Sequence, residues 1–298
     1  MPTAPSPHNR RAALLEAELR DLYVAQKLNI EQIAERFGLA PTTISRRFAD
    51  LGIPARRRGT VPGKRYGPEG RQCQWTADLA YAVGLIATDG NLSPKRGALS
   101  ITSNDVDLLD AVRSRLDFRA RIRPHVGGYG LRCHRLIWHD CVLYEWLLTI
   151  GLTPAKSLTL GPLAIPDEYF ADFFRGCIDG DGSIVTYVDR YNTFKSPAYV
   201  YTRLFVSIVT ASRRFAEWLQ AVVRRLLGLS GSITVRRSPG KRDIFCLRYA
   251  KAESLSILRW LYHSPDVLCL ERKRVIAVPF LRSPEPVQRR GPGRPMVV

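Results

Sequence analysis

The chain has 298 residues and a formal net charge of +18, from 45 lysines and arginines against 27 aspartates and glutamates. That is room for two or three modest domains, and the charge favours a polyanionic partner, nucleic acid first. No run of 18 apolar residues occurs, and the opening MPTAPSPHNRR lacks the apolar stretch of a secretory signal, so a cytoplasmic protein with no membrane contact is expected. The six cysteines form no C-x-x-C pair, and His134 and His139 fall in a strand-like run, LRCHRLIWHD. The cysteines therefore read as reduced thiols, not as a disulfide framework or a zinc site.

Residues 1–11 are polar and Pro-rich and are expected to be disordered. Residues 12–53 read as three helices. The first runs from Ala12 to Ala25 with Leu14, Leu15, Leu19 and Leu22 at helical spacing. The second runs from Ile30 to Phe37, and the third begins at Pro41 and ends near Asp50. Residues 54–74 form a basic linker rich in Pro, Gly and Arg, with Arg56, Arg57 and Arg58 suited to phosphate contact.

From Thr76 the pattern becomes α-β-β-α-β-β-α and is then repeated. The first set is helix Thr76–Thr88, strands Asn91–Lys95 and Ala98–Thr102, helix Val106–Leu116, strands Arg119–His125 and Leu131–Trp138, and helix Cys141–Ile150. The second is helix Glu168–Ile178, strands Ser183–Arg190 and Tyr199–Val209, helix Arg213–Leu227, strands Ser232–Arg237 and Ile244–Tyr249, and helix Glu253–His263. The halves span 75–157 and 158–282, and a basic tail, 283–298, follows. Its QRRGPGRP approaches a minor-groove AT-hook, but Pro292 breaks the core, so it reads as a solvated tail. The fold class is α+β: two pseudo-symmetric halves with antiparallel sheets, plus an N-terminal all-α module. The strands alternate, so Tyr187, Tyr201, Arg203, Arg236 and Arg248 can line one face and enter a DNA groove.

Each half opens on a helix that ends in Asp-Gly, and Asp89 and Asp181 lie 92 positions apart. Gly84 and Thr88 are i and i+4, as are Gly176 and Gly180. Small residues at that spacing let two helices pack closely, which would bring the two terminal carboxylates together. Carboxylates beside two helix C-termini repel unless a cation is present, and an all-oxygen site suits a hard divalent ion.

AVGLIATDG (Ala82–Gly90) and FRGCIDGDG (Phe174–Gly182) resemble the paired motifs of the LAGLIDADG family, and the αββαββα context of each matches too. The resemblance covers roughly residues 75–280. It implies a monomeric, site-specific double-stranded DNA endonuclease of the homing type, carried by or descended from a mobile element. It implies Mg²⁺, replaceable by Mn²⁺, on Asp89 and Asp181 with Gly90 and Gly182. It places Lys156 in GLTPAKSLTL and Lys273 in CLERKRVIA near the scissile phosphates, so the implied catalytic set is Asp89, Asp181, Lys156 and Lys273. A third family position falls on Ser103 and Ala211; Ala211 cannot hold a water, and Ala87 replaces the inner acid kept as Asp179. The alternatives are a non-catalytic transcription regulator or an intron RNA maturase on the same fold. Residues 14–53 resemble a bacterial helix-turn-helix, which would place Thr42, Thr43, Ser45, Arg46 and Arg47 in a major groove or on phosphate.

Overall fold

The computed structural model describes residues 16–54, 73–94, 97–118, 120–127 and 130–282. Leu14, Leu15, the linker arginines Arg56 to Arg58 and the two terminal segments lie outside the described residues. The chain divides into two units, residues 1–60 and 61–298.

In the first unit, residues 16–25 form helix α1, whose last turn, Asp21–Ala25, widens to π geometry. Helix α2 is Ile30–Phe37. Asn29 starts it because its Oδ1 accepts from the Gln32 amide at 2.7 Å while Gln32 Oε1 accepts from the Asn29 amide at 3.0 Å. Gly38, at φ 63°, ends it. Helix α3, Pro41–Asp50, carries proline in its first turn, where no amide is needed. Leu19, Leu22, Ile33, Ile44 and Phe48 are buried together, and the Tyr23 and Phe48 rings lie 4.4 Å apart.

In the second unit, helix α4 is Ala77–Thr88, capped by Thr76, whose hydroxyl accepts from the Leu79 amide at 3.1 Å. Strands β1 (Gly90–Ser93) and β2 (Ala98–Ser103), helix α5 (Val106–Arg115), strands β3 (Arg121–Val126) and β4 (Arg132–His139) and helix α6 (Cys141–Thr149) complete the half. The second half repeats this order. Helix α7 is Phe170–Asp181, entered through a 3₁₀ turn at Asp167–Tyr169. Strands β5 (Gly182–Asp189) and β6 (Tyr201–Thr210), helix α8 (Arg213–Leu227), strands β7 (Ser232–Arg236) and β8 (Ile244–Tyr249) and helix α9 (Lys251–Leu261) follow. The sheets are antiparallel with matching orders, β1-β2-β4-β3 and β5-β6-β8-β7.

Element order and type agree with the sequence reading, with one addition. Glu271–Leu281 form a further helix, α10. Its sequence, ERKRVIAVPFL, has no continuous apolar stripe and contains Pro279; only Lys273 and Ala277, one helical turn apart, are buried. In the first half, turns at residues 154–159 follow α6 instead.

One hydrophobic core runs through both halves. Each sheet turns one face to it. Leu99, Ile101, Leu136 and Trp138 do so in the first half; Leu204, Val206, Ile208, Leu247 and Tyr249 in the second. Helices α4 and α7 sit at the centre. Leu79 to Ala87 of α4 and Phe170 to Asp179 of α7 are buried without a break, as expected of a helix covered on all sides.

Candidate active site

Two glycines set how closely α4 and α7 cross. A Cβ added to Gly84 would lie 2.2 Å from the Phe173 carbonyl oxygen, and one added to Gly176 would lie 2.1 Å from that of Tyr81. Both obstacles are backbone, so no side chain fits there. Further along, a Cβ on Gly180 would strike Thr88 Oγ1 at 2.0 Å and approach Asp89 Oδ2 at 3.2 Å. The C-terminal ends of the two helices are therefore in contact, as the glycine spacing predicts.

Asp89 caps α4, Asp181 is the last residue of α7, and each is followed by the glycine that opens a strand. Both carboxylates are open to solvent on one side and surrounded by protein on the others. Burial pushes Asp89 up to about 6, and the Asp181 charge adds to the shift; Lys273 and Lys156 pull it back. Burial likewise raises Asp181, against the pull of the same lysines. Two crowded carboxylates that resist ionising together would be relieved by a cation. Among the described residues no cluster of three or more His, Cys, Asp or Glu occurs. An ion held by two carboxylate groups alone would keep most of its positions for water or substrate oxygen, which fits Mg²⁺.

The lysines are nearly buried, at 6% exposure for Lys156 and 5% for Lys273, and burial lowers both pKa values. Lys156 Nζ donates to the Gly90 carbonyl. Lys273 Nζ donates to the carbonyls of Gly182 (2.7 Å), Ile178 (2.6 Å) and Asp179 (2.9 Å). The carbonyls of Gly90 and Gly182, expected as metal ligands, thus each accept from a lysine ammonium, and the second lone pair of each oxygen is left for another partner.

The second half carries a buried polar network that the sequence reading missed. Asp179 Oδ2 accepts from Tyr81 of α4 and from the amide of Leu270, the N-cap of α10, both at 2.8 Å. Arg175 is fully buried. It donates to Asp172 (2.6 Å) and to the carbonyls of Leu261 (2.6 Å) and Leu268 (2.8 Å), and its guanidinium lies 5.3 Å from the Tyr81 ring centroid. These bonds tie α7 to the segment leading into α10 and so fix where Lys273 enters. The equivalent first-half positions are Ala80, Val83 and Ala87, which cannot do this. Three charged residues ahead of Asp181 (Asp172, Arg175 and Asp179), in a helix otherwise built of apolar residues and glycine, were the available signal.

The hydroxyl positions also need correcting. Gly90 pairs with Ile101, and Gly182 with Ile208. The residue equivalent to Ser103 is therefore Thr210, and Ala211 matches Asn104. Ser103 Oγ accepts from the Asp105 amide and Thr210 Oγ1 from the Ser212 amide, both at 3.1 Å. Asp105 and Ser212 are the N-cap residues of α5 and α8, so the two halves use a hydroxyl in the same way and no hydroxyl is lost.

Residues 168–259 match the family model of the LAGLIDADG-like domain. No curated protein matches the chain. Among solved structures, full-length DUF199/WhiA from Thermatoga maritima is 12% identical, over 68% of this chain and 60% of that one, with a TM-score of 0.43. This chain thus spans less than two thirds of that protein. The LAGLIDADG homing endonuclease I-LtrWI, bound to its target DNA, is 11% identical over 68% and 89%, TM-score 0.45. I-DmoI in complex with DNA and Mn is 15% identical over 63% and 97%, TM-score 0.40.

Beside helices α4 and α7, each sheet turns its second face outward. Register places Tyr187, Tyr201, Arg203, Arg236 and Arg248 on one such face, as alternation predicts. Arg203 is paired with Asp189 at 2.7 Å, and Arg248 lies 5.4 Å from the Phe205 ring centroid. The first sheet's outward face carries Arg121, Arg123 and Arg135, which the sequence reading did not single out; the alternation Arg121-Ile122-Arg123 was the signal. Arg123 and Arg135 stand directly opposite on neighbouring strands, an arrangement that destabilises a sheet by itself. In the first unit, Thr42, Thr43, Ser45, Arg46 and Arg47 are all exposed on α3, around buried Ile44 and Phe48.

Proposed function

We propose that the chain is a site-specific, metal-dependent endonuclease that hydrolyses double-stranded DNA. The observation that carries this reading is the joining of Asp89 and Asp181 at the touching ends of α4 and α7, with Lys156 and Lys273 held on the adjoining glycine carbonyls. Structural packing alone gives no reason to place two carboxylates together and supply two buried ammonium groups. A divalent ion on the two aspartates would supply an activated water and steady the departing 3′ oxygen. The chain's own part is to hold the carboxylates close together through the glycine crossing, and to keep a positive charge beside each through the lysines, where negative charge builds on phosphate.

The outward arginines support DNA as the partner. The opposed pair Arg123 and Arg135 costs stability until a polyanion lies across it. The site is complete within one chain, so the active form is a monomer. It acts in the cytoplasm as the product or descendant of a mobile element, and the α3 arginines add a second region of DNA binding.

The test is incubation with a randomised duplex library in Mg²⁺, Mn²⁺ or EDTA, followed by sequencing of new ends. Cleavage at one defined sequence in Mg²⁺ and Mn²⁺, absent in EDTA, is expected. Asp181→Asn should abolish it and leave DNA affinity within a few-fold. Sequence-specific binding with no cleavage in any divalent ion would make the chain a DNA-binding regulator instead.

A further inference from the structure

The two outward sheet faces are chemically different. Strand register and exposure show this without reference to any ligand. On the first sheet the outward face carries Arg121, Arg123 and Arg135. Arg121 and Arg123 are exposed, and neither has an ion-pair partner among the described residues. Arg135 is aimed by Thr102 Oγ1, which accepts from its Nε at 3.2 Å, and by His125.

On the second sheet the same face exposes more apolar surface. Val185 is 44% exposed, Tyr187 50%, Tyr201 45% and Val209 39%. It also carries three arginines, of which Asp189 holds Arg203 and Arg248 lies over Phe205, while Arg236 is exposed with no ion pair among the described residues. Exposed valines and tyrosines on a sheet that already has a packed inner face contribute nothing to the core. Their exposure is unfavourable until something apolar covers them.

Duplex DNA offers two complements. Guanine presents paired acceptors that a guanidinium grips in bidentate fashion, and thymine presents a methyl group that favours apolar contact. We infer that the DNA target is asymmetric in composition, with a guanine-bearing half-site read by Arg121 and Arg123 and a thymine-rich half-site read by Val185, Tyr187, Tyr201 and Val209. The inference rests on the DNA reading given above. Arg121 and Arg123 are two residues apart on one strand, so their side chains emerge about 7 Å apart. That is close to two base steps of about 3.4 Å, so the guanines they read stand two positions apart.

The experiment is selection of bound duplexes from a randomised library by the full chain in Ca²⁺, with sequencing of the bound pool, so that no cleavage is required. The expected product has one guanine-bearing end, with the spacing just given, and one thymine-rich end. Arg121→Gln with Arg123→Gln should lose roughly ten-fold or more of the discrimination at each guanine and leave the thymine end unchanged. Val185→Ser with Tyr187→Ser should do the converse. All four positions are solvent-exposed, so these variants keep the fold. A selected site whose two ends have the same composition, or arginine variants that weaken every sequence equally, would overturn the inference and leave the endonuclease reading standing. Tight binding with no enriched sequence would overturn both.

Discussion

Asp89 and Asp179 are both pushed up to about 6, for different ends. Asp89 faces Asp181 and solvent. Its folded pKa stands above the usual 3.8, so the folded chain holds the proton more tightly than the unfolded chain. The stability it contributes is complete below about pH 4 and is lost as pH rises through about 6. Asp89→Asn should therefore make the metal-free protein more stable at pH 8, by about 1 kcal/mol or less because solvent screens the carboxylate. It should also flatten the change in stability between pH 4 and 6. Urea denaturation at pH 5 and pH 8 checks this; an unchanged difference would show that the carboxylates do not strain the fold. Asp179 is buried and accepts from Tyr81 and Leu270. Asp179→Ala strands both donors and should cost about 2–4 kcal/mol, seen as a lower urea midpoint, whereas Asp179→Asn, which keeps an acceptor oxygen, should cost less.

At the scale of elements, the α4–α7 crossing positions the site. Gly84→Ala would place a methyl 2.2 Å from a backbone oxygen, so the helices must separate by more than a side-chain adjustment allows. A loss of at least 1–3 kcal/mol is expected from overpacking alone. The approach of Gly180 to Thr88 should open with it, so cleavage should fall further than stability predicts. Denaturation and single-turnover cleavage on the same preparation would show this; normal cleavage would mean that the crossing does not set the carboxylate spacing. Helix α10 depends on α7 through Arg175, whose loss leaves buried Asp172 with only the half-exposed His263 as partner. Arg175→Met should destabilise the second half by about 3–5 kcal/mol. Amide exchange should report the effect first around Leu268 to Lys273.

At the scale of the whole molecule, the chain is two folded units, each with its own core. A chain starting near Arg71 should therefore fold and still bind its selected site. Removing Arg46, Arg47 and the linker arginines should make the slope of log affinity against log salt shallower, by roughly 0.9 for each phosphate they had neutralised. Footprinting should show protection disappearing on one side only. If footprint and slope stay unchanged, the first unit does not touch DNA.

Much of this was legible in the amino-acid order. The repeat of an apolar helix ending in Asp-Gly, the glycines at i and i+4, the alternation of the strands and the start of α3 at Pro41 are local patterns, carried by periodicity and self-similarity. What only the tertiary structure decided concerns residues about 90 positions apart. Those are the bond from Tyr81 to Asp179, the placement of Lys273 on the Gly182 carbonyl and the anchoring of Leu270 by α7. The match of Ser103 to Thr210 needed strand register, because sequence spacing fails where the β5–β6 hairpin is longer than its first-half counterpart. Local patterning dictates which face of an element is apolar; only packing dictates which buried polar atoms meet, and in this chain those meetings hold the lysines and the carboxylates in place.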